Sequence, residues 1–317
     1  MEPGSYETQS GSLPGKWCFN ISMPTRRRVL SFAASAAAAA ALPMKPQTPA
    51  LHLGLIVSAG TDPEAAIRKV HSFGFPTCQV GVGAFDPGMP ARLRAALDQY
   101  KIEATSLVSG GPGPEIYDFY QGPLTIGLVP REYRDARIAQ IKKTSDFAKQ
   151  CGVPAVQTHC GFIPENPNDP VYNEAVEAIR TVAAYCRRNG QNFRCETGQE
   201  TPIALYRAIH DVGLDNVGVN FDAANLILYG KANPVDALDI LGPLVQGVHA
   251  KDGLYPTGPR QLGREVPIGQ GKVNFPAFIK RLKEVGYRGP LTIEREISGA
   301  KQAEDIRASK AFLENLL

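Results

Sequence analysis

From residue 51 onward, short β-rich apolar runs alternate with longer stretches whose apolar residues recur at helical spacing. The runs predict strands over 51–58, 77–82, 103–109, 155–160, 192–196, 217–222, 245–251 and 290–296. Helices are predicted over 62–73, capped by Thr61, over about 90–100, and over 131–151 after the Gly/Pro-rich loop 110–130. Further helices fall at 172–189, at about 202–212 with Thr201 as cap, after Asn233-Pro234, from Asn274-Phe275-Pro276 to near Gly286, and at 301–316. Eight strand–helix units in strict order imply parallel strands with right-handed crossovers. The expectation is an α/β fold, a single-domain (β/α)8 TIM barrel. The rival is an open doubly wound sheet; its dinucleotide-binding members carry a G-x-G-x-x-G turn, and none follows strand one here.

Side chains two apart on a strand share a face. On that rule Gln157 with His159, Arg194 with Glu196, Asn220 with Asp222, His249 with Lys251, and Thr292 with Glu294 and Glu296 point one way. The opposite parity reads Val156, Phe193, Cys195, Val219, Phe221, Val248, Leu291 and Ile293. One face is thus polar and ionisable, the other suited to packing against helices. A buried polar face costs free energy unless its groups are paired or hold a metal.

Glu196, Asp222, His249 and Glu294 stand at or near the C-terminal ends of four of these strands, 26, 27 and 45 residues apart. In a parallel barrel such ends meet at one mouth. Two Glu, one Asp and one His form a donor set for a divalent cation such as Mn²⁺.

The 317-residue chain leaves roughly 265–275 residues after its N-terminal region, the size of one such barrel. A net charge of +3, much of it in one N-terminal cluster, gives no nucleic-acid surface. That cluster, Arg26-Arg27-Arg28, precedes an Ala-rich stretch too short and too weakly apolar for a stable membrane span. It suits a signal peptide with cleavage near Ala41 or later, and Thr25-Arg26-Arg27-Arg28-Val29-Leu30 resembles a twin-arginine signal. Residues 1–50 are therefore expected to be leader and signal, with Met1 or Met23 as the start, residues 51–317 the barrel, and the protein periplasmic or otherwise exported. Six scattered cysteines, at 18, 78, 151, 160, 186 and 195, read as buried small hydrophobes; Cys160 and Cys195 suit neighbouring strands, where a disulfide is an open alternative.

Several segments together resemble the sugar isomerase/epimerase superfamily, the xylose isomerase-like TIM barrels. They are Gln157-Thr158-His159-Cys160-Gly161-Phe162-Ile163-Pro164, Glu196-Thr197-Gly198-Gln199-Glu200, Asn220-Phe221-Asp222-Ala223-Ala224-Asn225-Leu226, Val248-His249-Ala250-Lys251-Asp252-Gly253, Pro267-Ile268-Gly269-Gln270-Gly271 and Ile293-Glu294-Arg295-Glu296. They run from the fourth strand onward; the first three strands match in pattern only. The resemblance implies one divalent metal held by Glu196, Asp222, His249 and Glu294, with Mn²⁺ first and Co²⁺, Mg²⁺ or Zn²⁺ as alternatives. It makes Glu196 and Glu294 the catalytic proton carriers of a sugar or keto-sugar isomerase or epimerase working through an enediolate. His159, Asn225, Lys251 and Arg260 are the candidate substrate-binding residues, although Lys251 and Asp252 also suit a simple pair at a loop mouth and Arg260 a solvated loop charge. The expected partner is a small sugar, and a homo-oligomer stays open. Two alternatives stay open: a lyase eliminating the aglycone from 3-keto-glycosides, and a sugar-binding barrel without turnover. DNA-repair relatives extend the Asp to Asp-x-x-His for a three-zinc cluster; this chain has Asn225 there and five His in all, which argues against a nuclease.

Overall fold

A computed structural model describes residues 51–83 and 85–317; the expected leader and signal segment lies outside them. Eight parallel strands close into a barrel. They are β1 (His52–Ser58), β2 (Thr77–Val82), β3 (Glu103–Ser109), β4 (Ala155–His159), β5 (Asn192–Glu196), β6 (Val217–Asp222), β7 (Val245–Ala250) and, after a hairpin of β8 (Asp252–Leu254) and β9 (Arg264–Val266), β10 (Pro290–Ile293). Each pairs with its neighbour in sequence order, and β10 returns to β1 to close the ring. The outer wall consists of α1 (Pro63–Ser72), α2 (Met89–Tyr100), α4 (Arg131–Cys151), α5 (Pro170–Arg188), α6 (Pro202–Val212), α8 (Pro234–Leu241), α9 (Phe275–Glu284) and α10 (Ala300–Glu314). Two short helices, α3 (Gly122–Thr125) and α7 (Ala223–Leu228), sit in the loops at the strand C-termini.

Local chemistry sets the helix starts. Proline stands in the first turn of all the outer helices but α4 and α10, where its missing N–H has no partner to lose. Thr201 caps α6 as expected, its hydroxyl accepting from the Ala204 N–H. Thr61 is not the cap of α1: Pro63 fixes the first helical position, and the Asp62 carboxylate accepts from the Ala65 N–H at 3.0 Å.

The strand parity holds. Val156, Phe193, Cys195, Val219, Phe221, Val248, Leu291 and Ile293 are fully buried toward the helices. Gln157, Asn220, His249 and Thr292 are equally buried on the polar face, inside the barrel. Register shifts precede Gln79, also fully buried, and Asn220, and Gln79 donates to Asn220 at 3.0 Å across the interior.

The long Gly/Pro-rich loop is pinned rather than loose. Arg137, 2% exposed, donates to the carbonyls of Pro112, Pro114 and Gly127. Gly127 and Gly161, both at positive φ, let the loop backbone lie against the end of β4; a Cβ on either would collide with the opposing backbone. Cys160 and Cys195 are neighbours as expected but remain free thiols, and contact with Cys195 together with burial pushes the Cys160 thiol well up. Among the described residues no helix is long and apolar enough to cross a membrane.

Candidate metal centre

Strand register brings the four candidate ligands to one level. Glu196 ends β5 opposite His159 of β4, and Asp222 ends β6 opposite His249 of β7. His249 also pairs with Thr292, and the Glu294 N–H bonds the Ala250 carbonyl one step past β10. One donor atom from each of Glu196, Asp222, His249 and Glu294 lies within 4.8 Å of the others. His249 Nδ1 is 3.1 Å from Glu294 Oε2, 3.2 Å from Glu196 Oε1 and 3.6 Å from Asp222 Oδ2.

The chain orients each donor from behind. His249 Nε2 lies 2.7 Å from Gln79 Oε1, a contact that turns Nδ1 toward the carboxylates. Gln79 is held by Gln157 at 2.8 Å, and Gln157 by Ser106 at 2.7 Å. Asp222 divides its two oxygens: Oδ1 caps α7 by accepting from the Asn225 N–H at 2.8 Å, and Oδ2 turns inward. Thr197 fixes the Asp222 backbone through both its N–H and its carbonyl.

Asp222 Oδ2, His249 Nδ1 and Glu294 Oε2 are buried and make no hydrogen bond. Buried polar atoms are rarely left so, and three that meet one another and Lys251 only as ion pairs at 3.1–3.6 Å are a set that a shared cation would satisfy. Three carboxylates and one imidazole nitrogen fit a divalent cation in donor type and charge.

Lys251 supplies the nearest protein cation. Its Nζ, inside a side chain 1% exposed, lies 2.8 Å from Glu296, 3.3 Å from Glu294 and 3.5 Å from Asp222, and donates to Asn225 Oδ1 at 3.2 Å. Burial opposes charge on Lys251 and His249, but the carboxylates outweigh it and raise both well above their ordinary values. Burial likewise pushes Glu294 up, and Lys251 and His249 more than reverse it; Asp222, the most enclosed, stays above the usual carboxylate range.

Lys251 and Asp252 do not pair. Asp252 turns away and accepts four backbone N–H groups, from Gly253, Gly269, Gly271 and Val273, tying the glycine-rich segment beneath the β8–β9 hairpin. Next to the site lies a cavity of about 340 Å³ lined by Tyr117, His159, Asn225, Leu228, Tyr229, Leu262, Gly263, Glu265 and Glu296. His159 stands with Nε2 3.7 Å from Glu196, its Nδ1 3.2 Å from Gln199. His159 and Asn225 thus line the cavity and Lys251 borders it through Asn225 and Glu296. Arg260 does not line it: the guanidinium lies over the Tyr120 ring, 4.2 Å from its centre. Gln79, Tyr117, Tyr229 and Glu265 escaped the sequence reading; only Gln79 left a signal, a lone amide in an apolar strand.

Residues 67–316 match the xylose isomerase-like TIM barrel family, and the chain belongs to that family. A xylose isomerase domain protein from Planctomyces limnophilus is 36% identical, with a TM-score of 0.79 over 84% of this chain and 98% of that one. A D-psicose 3-epimerase solved in the presence of D-fructose shares the fold at 19% identity, with a TM-score of 0.63 over 84% of this chain and 99% of that one. Uncharacterized protein MJ1311 of Methanocaldococcus jannaschii is 28% identical over 196 residues, 58% of this chain and 63% of that protein's length.

Proposed function

We propose that the protein is a divalent-metal-dependent isomerase or epimerase of a sugar or keto-sugar. The observation that carries this reading is the cluster of Glu196, Asp222, His249 and Glu294, with three inward donor atoms lacking hydrogen bonds, next to a cavity of about 340 Å³ whose lining residues His159 and Asn225 touch Glu196 and Asp222. These four side chains would hold the cation, and Mn²⁺ suits three carboxylates and one imidazole. When bound, the cation supplies positive charge that stabilises the enediolate formed next to a sugar carbonyl.

The chain supplies the rest. A hydrogen on the carbon beside a carbonyl is removed and returned by carboxylates within hydrogen-bond reach. Glu196 and Glu294 are assigned these roles: one as carboxylate takes the proton, and the other as acid returns one. Two carriers on opposite faces of the carbon invert it; one carrier working between adjacent carbons isomerises. Lys251, charged and fixed by Asn225 and Glu296, and His159, on the cavity wall, would orient substrate oxygens. The fold shared with a D-psicose 3-epimerase supports the substrate class.

The test is solvent exchange. Mn²⁺-loaded protein incubated with free ketoses and 3-keto-glycosides in D₂O should place deuterium on one carbon of recovered sugar, and Glu294→Gln should abolish that. Release of aglycone would point to a lyase instead. Tight sugar binding with no exchange would leave a binding barrel. The twin-arginine-type segment supports export, which cell fractionation of the full-length chain would check.

A further inference from the structure

The cavity wall carries acids the proton-transfer scheme does not use. Glu265 and Glu296 stand on the lining, one above the other, the Glu296 N–H donating to both Glu265 oxygens at 3.2 Å. No lysine or arginine is among the lining residues. The nearby cations are already committed. Lys251 serves Asp222, Glu294 and Glu296. Arg295 lies behind Glu265 at 2.7 Å and is shared with Asp305 at 2.9 Å, its side chain 12% exposed. Arg260 covers Tyr120, and Arg264 is exposed outside the lining.

Glu265 and Glu296 line this space, and Glu196, Asp222 and Glu294 stand next to it, beside His159 and Lys251. A dication, Lys251 and Arg295 leave one of the five carboxylates without a cationic counterpart, since Lys301 helps neutralise Asp305. A phosphate or carboxylate on a substrate is bound through arginine forks, lysines or clustered N–H groups, and losing its water without them is unfavourable. Like charge in a half-enclosed cavity adds repulsion, and specificity often rests on such repulsion. The remainder of the wall, Tyr117, Leu228, Tyr229 and Leu262, offers apolar surface suited to the C–H faces of a neutral sugar.

Resting on the function proposed above and deepening it, we propose that the cavity selects an uncharged sugar, and that Glu265 and Glu296 enforce this by rejecting phosphorylated and uronate analogues. The experiment compares a free ketohexose with its terminal phosphate and the matching ketouronate on Mn²⁺-loaded protein, by calorimetric binding and by deuterium exchange. The free sugar should be preferred at least 100-fold. In Glu296→Gln, and further in the Glu265→Gln/Glu296→Gln pair, that ratio should narrow at least tenfold; it should also narrow with added salt in the parent. Because the readout is a ratio within one preparation, a general loss of activity does not imitate it, and the half-exposed Glu296 is replaced alone should the double variant fail to fold. Equal or tighter binding of the phosphate, or an unchanged ratio in both variants, would overturn the proposal. Unequal binding without exchange of any sugar would instead sink the isomerase reading and leave this one standing; no binding of either sugar would sink both.

Discussion

Replacing Lys251 by methionine isolates the charge balance of the centre. The apolar chain keeps most of the lysine's volume and removes the ammonium. Asp222, fully buried, and Glu294, 14% exposed, then lose a cation at 3.5 and 3.3 Å. Removing one partner of a buried ion pair strands the other, at a typical cost of about 3–5 kcal/mol. The exposed Glu296 partner adds little, since water already solvates it. For a domain of this size the loss corresponds to a fall of roughly 10 °C in melting temperature. The same substitution removes a like charge beside the cation's place, so Mn²⁺ should restore more stability to the variant than to the parent. Thermal melts of both proteins after chelation, and again in saturating Mn²⁺, check this. A metal-free variant melting within about 2 °C of its parent, or an equal Mn²⁺ gain in both, would refute the argument that Lys251 offsets the buried carboxylates.

Two further outcomes follow from the buried titrating groups. Carboxylates outweigh burial and keep His249 protonated above its ordinary value in the metal-free protein, while a cation needs its Nδ1 lone pair; binding should therefore release a proton near neutral pH, and affinity should rise with pH. Calorimetry of Mn²⁺ binding in two buffers of different ionisation heat would show a buffer-dependent enthalpy, and an identical enthalpy would contradict it. Glu200 is fully buried with both oxygens lacking hydrogen bonds, and burial pushes its carboxyl up to about 8. Its folded value lies above its unfolded one, so it lowers stability progressively as pH rises between the two and remains unfavourable beyond about 8. Glu200→Gln should flatten that decline, measured as denaturation midpoints at low and high pH; parallel pH profiles for variant and parent would count against the assignment.

The barrel was legible because its strands carry a strong local signal. Phe193 and Cys195 against Arg194 and Glu196, or Phe221 against Asn220 and Asp222, show the face division in a few residues. The clustering of Glu196, Asp222, His249 and Glu294 was legible for the same reason: each lies at or just past a strand end, where fold topology alone fixes its neighbours. What sequence did not show depends on contacts between distant segments. The β8–β9 hairpin is held by Asp252 reaching backbone N–H groups up to 21 residues on, which no local pattern announces. The short α7 is not announced by the sequence although its cap is in view: Asp222 draws notice as a candidate ligand, and its Oδ1 serves as the N-cap. Gln79 stabilises the imidazole from a strand 170 residues earlier. Arg260 looked like a substrate clamp from its place in a long loop; its ring contact with Tyr120 arises from packing between two separate loops.

Crystals of the barrel soaked in Mn²⁺ and measured at the manganese absorption edge bear most directly on the centre. One anomalous peak within bonding distance of Glu196, Asp222, His249 and Glu294 is the result expected. A peak elsewhere with these four side chains left apart, or none in metal-replete protein, would contradict it.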